Sequence, residues 1–329
     1  MVENSNTKSK KEKTKEYKQI AYKVISDVYL RYPSWKDEQL VLPSPIYPST
    51  LDSVDLTNKQ MAQVPFDDIR KSVLCGTIIG DTSLSIEKKY KNARFQSKHS
   101  TRQAEWFTWK FRVLLKELTN ESGVIFTPPD GYQAGSPLRP GENVLGKLKI
   151  HSKAHVKLTE LHKVICVNNR KKMQRSWLNH MNNYFLMTVW LDDGSLYNGR
   201  QGQICFNSVP VAEQNIFRAY LQSVWNINTK LEVKSDQPVL TNGQTNYVIN
   251  IQEQESLKRL LRLVAPVVPV REMLYKVCFC PKEPSELERW KTELLNLVRP
   301  EFKQDVMDFY LSLPCSPEGD GECLNQKNL

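Results

Sequence analysis

The sequence predicts an α+β fold built from two similar halves, and three observations predict it. A short apolar run ends in an acid twice, at "LCGTIIGDT" from Leu74 to Thr82 and at "LMTVWLDDG" from Leu186 to Gly194. After each acid the same order of elements follows: hairpin, helix, hairpin, helix. The two copies lie 112 residues apart, from Asp81 to Asp193 (193 − 81), which is the mark of an internal duplication.

Each element has its own warrant. Residues 1 to 10 are polar and read as disordered, whereas 11 to 32 place Tyr17, Ile20, Ala21, Val24, Ile25 and Val28 at helical spacing among lysines. The Pro and Ser cluster "LPSPIYPST" from Leu42 to Thr50 reads as a linker or wrapped arm, and the main body starts near Val64. In the first half, the apolar run up to Asp81 is a helix, and "TSLSIEKKYKNARFQSKH" alternates around Lys91-Asn92 as a hairpin. A helix from Arg102 to Leu118 carries Trp106, Trp109, Phe111 and Leu114. Strands "GVIFTP" and "VLGKLKIHS" lead to a helix from His155 to Val167. In the second half, "GSLYNGRQGQICFNS" turns at Asn198-Gly199, the strongest short hairpin signal. A helix from Val211 to Trp225, strands "KLEVKS" and "NYVINI" and a helix from Glu253 to Val264 follow. The expected organisation is an N-terminal extension over 1–64, a first half over 65–180, a second half over 181–279 and a helical C-terminal extension over 280–329.

Composition bounds the function. With 329 residues, 40% of them apolar and 25% charged, the chain can bury a sizeable core. Lys plus Arg exceed Asp plus Glu by 46 to 36, a formal +10 that favours polyanionic partners such as nucleic acid. Seven cysteines without a CxxC pair indicate neither a disulfide framework nor a zinc site, which fits a reducing compartment. No apolar run approaches the ~18 residues of a membrane span. Glu3, Glu12 and Glu16 are unlike a transit peptide. His151 and His155 are four apart but lack a third ligand of suitable spacing, and P-loop, nucleophile-elbow and dinucleotide fingerprints are absent.

The two acids therefore carry the reading. Each sits where the first helix of a half stops and its sheet begins, so two such helices packed side by side would bring both together. Gly76 and Gly80, four apart, give the first helix a side-chain-free face for close approach. Thr188 and Asp192 replace those small residues in the second helix, and close approach is less expected on that side.

On these residues the chain resembles the LAGLIDADG homing endonucleases, in the branch where one chain carries two motifs. The eighth, acidic position of the nine-letter motif falls on Asp81 and on Asp193, and the resemblance spans about residues 70 to 277. It implies two αββαββα halves related by a pseudo-twofold axis, with the motif helices at their interface and two antiparallel sheets forming a saddle over double-stranded DNA. It further implies a monomer, encoded in a group I intron of a mitochondrion or chloroplast, that makes a Mg²⁺-dependent double-strand break in a long target. A maturase that binds intron RNA on the same fold is the alternative.

The resemblance also assigns residues. Asp81 and Asp193 are the expected ligands of two or more Mg²⁺ ions bound with DNA, since Mg²⁺ takes hard oxygen ligands and few of them from protein. Gly80 and Asp192 complete the expected metal site, with Asp192 also read as a supporting or capping acid. Lys171 and Lys276 occupy places where the family carries lysines near the active site, and Arg170 or Lys172 is the match if the alignment slips by one. DNA contacts are expected from Lys88, Lys89, Lys91, Arg94, Gln96 and Lys98 in the first hairpin. Tyr197, Asn198, Arg200, Gln201 and Gln203 in the second are their counterparts, with Lys147, Lys149 and Lys153 (beside His151) and Lys230 and Lys234 (beside Gln237) extending the two sheets.

Overall fold

The computed structural model describes residues 10–36, 40–48, 63–80, 82–129, 146–168, 170–206, 209–235, 238–239, 243 and 245–313. In chain order, α1 (Lys10–Arg31) precedes α2 (Asp68–Ile79), β1 (Thr82–Ser85), β2 (Arg94–Ser100), α3 (Ala104–Thr108), β3 (Thr119–Thr127), β4 (Lys147–Ser152) and α4 (Val156–Ile165). A small hairpin, β5 (Cys166–Val167) and β6 (Arg170–Lys171), and α5 (Arg175–Leu178) lead to the second series. That series is α6 (Asn183–Asp193), β7 (Gly194–Tyr197), β8 (Gln201–Ile204), α7 (Val211–Trp225), β9 (Lys230–Val233), β10 (Tyr247–Ile251) and α8 (Gln254–Val264). A 3₁₀ segment (Arg271–Lys276), α9 (Pro284–Leu297) and α10 (Lys303–Leu311) follow.

Two four-stranded antiparallel sheets have the same strand order, β1-β2-β4-β3 and β7-β8-β10-β9. Between them α2 and α6 pack against each other. Both helices are buried almost all round, α2 from Lys71 to Ile79 and α6 from Asn183 to Leu191, as central helices of a core must be. Their starts are fixed by side-chain caps: Asp67 accepts from Arg70 N at 2.9 Å, and Asn182 accepts from Tyr184 N at 3.0 Å.

The extensions dock on this frame. Helix α1 packs on β3 and α3, with Tyr17 edge-on to Phe126 at a centroid distance of 6.1 Å. The Pro-rich segment is a wrapped arm: Tyr184 donates to the Pro43 carbonyl at 2.7 Å, and Asn183 exchanges hydrogen bonds with the Ile46 backbone at 2.8 and 3.0 Å. Helix α10 packs on the 3₁₀ segment that ends at Lys276. Among the described residues no helix is long and apolar enough to cross a membrane.

Two expectations of local structure are corrected. The helix expected from Arg102 to Leu118 breaks: α3 ends at Thr108, a wider π-helical stretch covers Trp109–Leu114, and a 3₁₀ turn covers Lys116–Leu118. The widening lies where Lys110, fully buried, reaches an acid of α6. The first hairpin closes through a loop over residues 86–93, from Ser85 to its partner Arg94, so Lys91-Asn92 is not a two-residue turn. The second hairpin does turn at Asn198-Gly199, whose φ values of 49° and 68° are both positive, as a type I′ turn requires.

Candidate active site

The approach of α2 to α6 is close because Gly76 has no side chain. A Cβ there would lie 2.8 Å from Thr188 Cβ and 3.0 Å from the Phe185 carbonyl oxygen. Thr188, a residue of the expected helix interface, allows the close approach: its hydroxyl turns back to the Tyr184 carbonyl at 2.8 Å and its carbon atoms cover Gly76. At the C-terminal end of the pair, a Cβ on Gly80 would fall 1.8 Å from Asp193 Oδ2. The carboxylate of Asp193 therefore occupies the space a side chain at Gly80 would fill. Asp81 lies outside the described residues. Its neighbour Thr82 opens β1, paired with Ser97.

Lys171 and Lys276 stand at equivalent places. Lys171 Nζ donates to the carbonyl of Ile78 at 2.7 Å and approaches those of Ile79, Gly80 and Thr82 at 3.4 Å each. Lys276 Nζ, buried, donates to the carbonyls of Leu191 at 2.6 Å and Gly194 at 2.9 Å. Each ammonium thus satisfies carbonyls at the C-terminal end of a central helix, where the backbone has acceptors without donors and the helix dipole is negative. The β5–β6 hairpin, turning through Asn168 at φ 52°, positions Lys171, while the 3₁₀ segment positions Lys276. Arg170 and Lys172, on either side of Lys171, are exposed.

Of the two readings of Asp192, metal ligand and supporting acid, its contacts are those of a supporting acid. Its side chain is fully buried in an ion pair with Lys110 at 2.8 Å, and it accepts from Thr77 Oγ1 at 2.8 Å and Trp106 Nε1 at 2.6 Å. Burial alone would raise its pKa, but the Lys110 ammonium beside it, with these hydrogen bonds, holds it below the usual carboxylate value. A carboxylate engaged on this scale is a structural link from the second half to the first, which corrects its place in the expected metal site. The neighbouring His99, buried and beside the Lys110 cation, is pushed down to about 4 and stays neutral near pH 7.

Lys110, Trp106 and Thr77 were not expected at the site. The signal existed: a lysine inside "AEWFTWKFRVLL", between aromatic residues, has to find an acid if that run is buried. Nearby, Glu105 accepts from Tyr32 Oη at 2.7 Å and Glu272 N at 3.1 Å, and Glu272 accepts from Trp106 N at 2.6 Å. Burial, with Glu105 adding repulsion, pushes the Glu272 carboxyl up to about 8. This cluster joins α1, α3 and the 3₁₀ segment that carries Lys276.

Strand register places the expected DNA contacts. On the first sheet, Leu84, Phe95, Leu148, Ile150, Val124 and Phe126 face the helices, so alternate positions face outward. Arg94, Gln96, Lys98, Lys147, Lys149 and His151 share that outer face. Arg94 is held by Glu87 and stacks on Tyr90 at 4.7 Å. Lys88, Lys89 and Lys91 are exposed on the loop, and Lys153 bonds the Glu117 carbonyl at 3.1 Å. On the second sheet, Tyr197, Gln201, Gln203 and Lys230 face outward with Ser195, Glu232 and Asn250, and Lys234 continues that alternation. Asn198 is the first central residue of the turn, and Arg200 closes it by donating its N–H to the Tyr197 carbonyl at 3.0 Å. An open groove of about 680 Å³ runs along this face from Gln201 and Gln203 to Gly194 and Lys276. Gln237 lies outside the described residues. His155 caps α4 by accepting from Lys157 N at 3.2 Å, and among the described residues no group of three or more His, Cys, Asp or Glu side chains is arranged to hold a metal ion.

Comparison with known proteins agrees with this arrangement. The solved structure of the homing endonuclease I-WcaI bound to its DNA recognition sequence superposes with a TM-score of 0.53 over 71% of this chain and 99% of that chain, at 17% identity. That likeness shows the fold. No curated protein sequence matches the chain. Residues 71–258, more than half of the chain and including both acid-ended helices and both sheets, match the LAGLIDADG DNA endonuclease family, and the chain belongs to that family.

Proposed function

We propose that the protein is a site-specific endonuclease that cuts both strands of a long DNA duplex with the help of divalent metal, Mg²⁺ being the fitting ion. The observation that carries this reading is Asp193: its carboxylate lies against Gly80 where the two central helices end, beside a polar groove reaching to Lys276. The donor set fits a hard cation, because Asp193 and Asp81, the residue after Gly80, offer carboxylate oxygens and the helix ends offer carbonyls. When bound, such an ion supplies charge neutralisation at phosphorus and a readily deprotonated water.

The chain's own residues do the rest. An acid at a helix C-terminus is placed against the dipole, so the two carboxylates need cationic compensation close by. Lys171 and Lys276 provide it by capping the carbonyls of the two helix ends. Gly76 and Gly80 bring the two ends within reach of one duplex. The outward cations of the first sheet and amides of the second hold the duplex across the ends. One chain supplies an acid from each half, so a monomer suffices. Origin in a group I intron of a mitochondrion or chloroplast belongs to the same proposal and rests on the family resemblance; an open reading frame inside such an intron would support it.

The test is cleavage of a plasmid carrying a duplex selected from a randomised library, scored for nicked and linear product. Linear product is expected with Mg²⁺ and none with chelator. Asp81→Asn and Asp193→Asn are each expected to abolish linear product while binding stays within a few fold. Cutting by the doubly substituted protein would refute the assignment, and tight intron RNA binding without any cutting would favour the maturase.

A further inference from the structure

The outer faces of the two sheets differ in charge. On the first, the outward positions of β2 and β4 hold Arg94, Lys98, Lys147 and Lys149, together with Gln96 and His151, and no acid. Burial, with Lys149 and Arg94 close by, lowers the His151 pKa, so the imidazole is neutral at pH 7 and the field there comes from the cations. On the second, the outward positions of β8, β9 and β10 pair Gln203 with Asn250 and Asn250 with Lys230, and put Glu232 opposite Val248. Glu232 accepts from the side-chain amides of Asn250 and of Gln252, the latter at 3.3 Å.

A carboxylate on a face that meets phosphate costs affinity, so its place there calls for another role. Asn and Gln amides are ambiguous readers when free, because N–H₂ and C=O can exchange places. With their N–H₂ groups turned to Glu232, Asn250 and Gln252 have their orientation fixed; Asn250 is buried with its Oδ1 enclosed, whereas Gln252 is exposed, and its oriented amide matches the N6 donor and N7 acceptor of adenine in the major groove. Gln203 lies across the strand pair from Asn250 and extends the same row.

We infer that the two halves divide recognition: the first sheet holds duplex DNA by charge, and the second reads adenine-bearing base pairs through the Gln252 amide that Glu232 orients. The inference rests on the endonuclease reading, and it names Glu232 as a specificity-determining residue.

The experiment is binding in chelator, with a mixed-sequence duplex for affinity and salt slope and a randomised duplex library for base preference. Lys98→Ala and Lys149→Ala are each expected to shrink the log–log salt slope by about 0.9 without altering the selected sequence. Glu232→Gln, close in shape and expected to melt as the wild type does, should bind the mixed-sequence duplex roughly threefold tighter or more as a charge facing phosphate is removed. The same variant should flatten a preference for adenine confined to one half of the selected site. Preference spread evenly over both half-sites, or flattened by the lysine substitutions and not by Glu232→Gln, overturns the division while leaving the endonuclease reading intact. Failure of the wild type to bind any duplex overturns the endonuclease reading itself.

Discussion

Replacing Gly80 by alanine separates chemistry from stability. The added methyl would sit 1.8 Å from Asp193 Oδ2. An ordinary carbon–oxygen contact needs about 3.3 Å, so the carboxylate has to retreat by roughly 1.5 Å. What it meets is the end of a side chain, so rotation of Asp193 relieves the overlap and the fold loses only about 1 kcal/mol or less. Catalysis is less tolerant, since a displacement of about 1 Å in a reacting group costs on the order of 10²-fold in rate. Gly80→Ala should therefore cut the selected plasmid at least 100-fold more slowly while its melting temperature stays close to that of the wild type. Gly76→Ala is the contrast: its methyl meets Thr188 Cβ at 2.8 Å and backbone oxygen of Phe185 at 3.0 Å, so the helices themselves must part, at about 1–3 kcal/mol. A Gly80→Ala enzyme that cuts within threefold of the wild type, with unchanged stability, would refute the placement of Asp193 in the chemistry.

Three further outcomes follow from the buried charges. Lys110→Met leaves the Asp192 carboxylate buried without its cation and should cost about 3–5 kcal/mol in denaturant unfolding, most of it recovered when Asp192→Leu is added; a single-variant cost under 1 kcal/mol would contradict the ion pair. Glu272 titrates at about 8 in the folded chain against an ordinary 4.5, so between those values the unfolded chain has lost a proton the folded one keeps, and stability declines as pH rises across that window. Glu272→Gln should remove that decline, gaining on the order of 1–3 kcal/mol over the wild type at pH 8 relative to pH 5; parallel pH profiles would exclude it. Lys276→Met removes the donor to the Leu191 and Gly194 carbonyls and should lower the cleavage rate with little change in the salt slope of binding, because that ammonium holds a helix end and not a phosphate.

Much of the fold was legible because it is periodic. Asn198-Gly199, the run from Val211 to Trp225 and the alternation in "VLGKLKIHS" state their structures locally, and the 112-residue repeat states how the halves correspond. Lys171 and Lys276 came from the family resemblance, because their partners, backbone carbonyls of a distant helix, leave no trace in sequence. What failed to show was contact between halves. The pairing of Lys110 with Asp192 spans 82 residues and depends on the direction of two side chains. The π-helical stretch contains the Lys110 of that pair, and propensity alone favours an ordinary helix through Trp109. The close fit of Thr188 on Gly76 turned on a hydroxyl folding back to its own helix, a choice of rotamer no pattern of residue types reveals.

The ion pair between Lys110 and Asp192 also decides which assemblies the chain can form. Moving Asp192 back by the 112 residues that separate Gly194 from Thr82 arrives at Gly80 (192 − 112), so the first half has no acid at that place; past the shorter second hairpin the offset is 107, from Ser97 to Ile204 (204 − 97), and Lys110 moved forward by it arrives at Phe217 (110 + 107), so the second has no cation there. Two copies of the first half joined about the same axis would bury two ammonium groups against glycine, and two copies of the second would bury two carboxylates with no counter-ion. Each half has become a lock that only the other half opens. A duplicated ancestor that paired with itself is no longer reachable from this sequence by a single substitution, because the ion and its counter-ion have to change together.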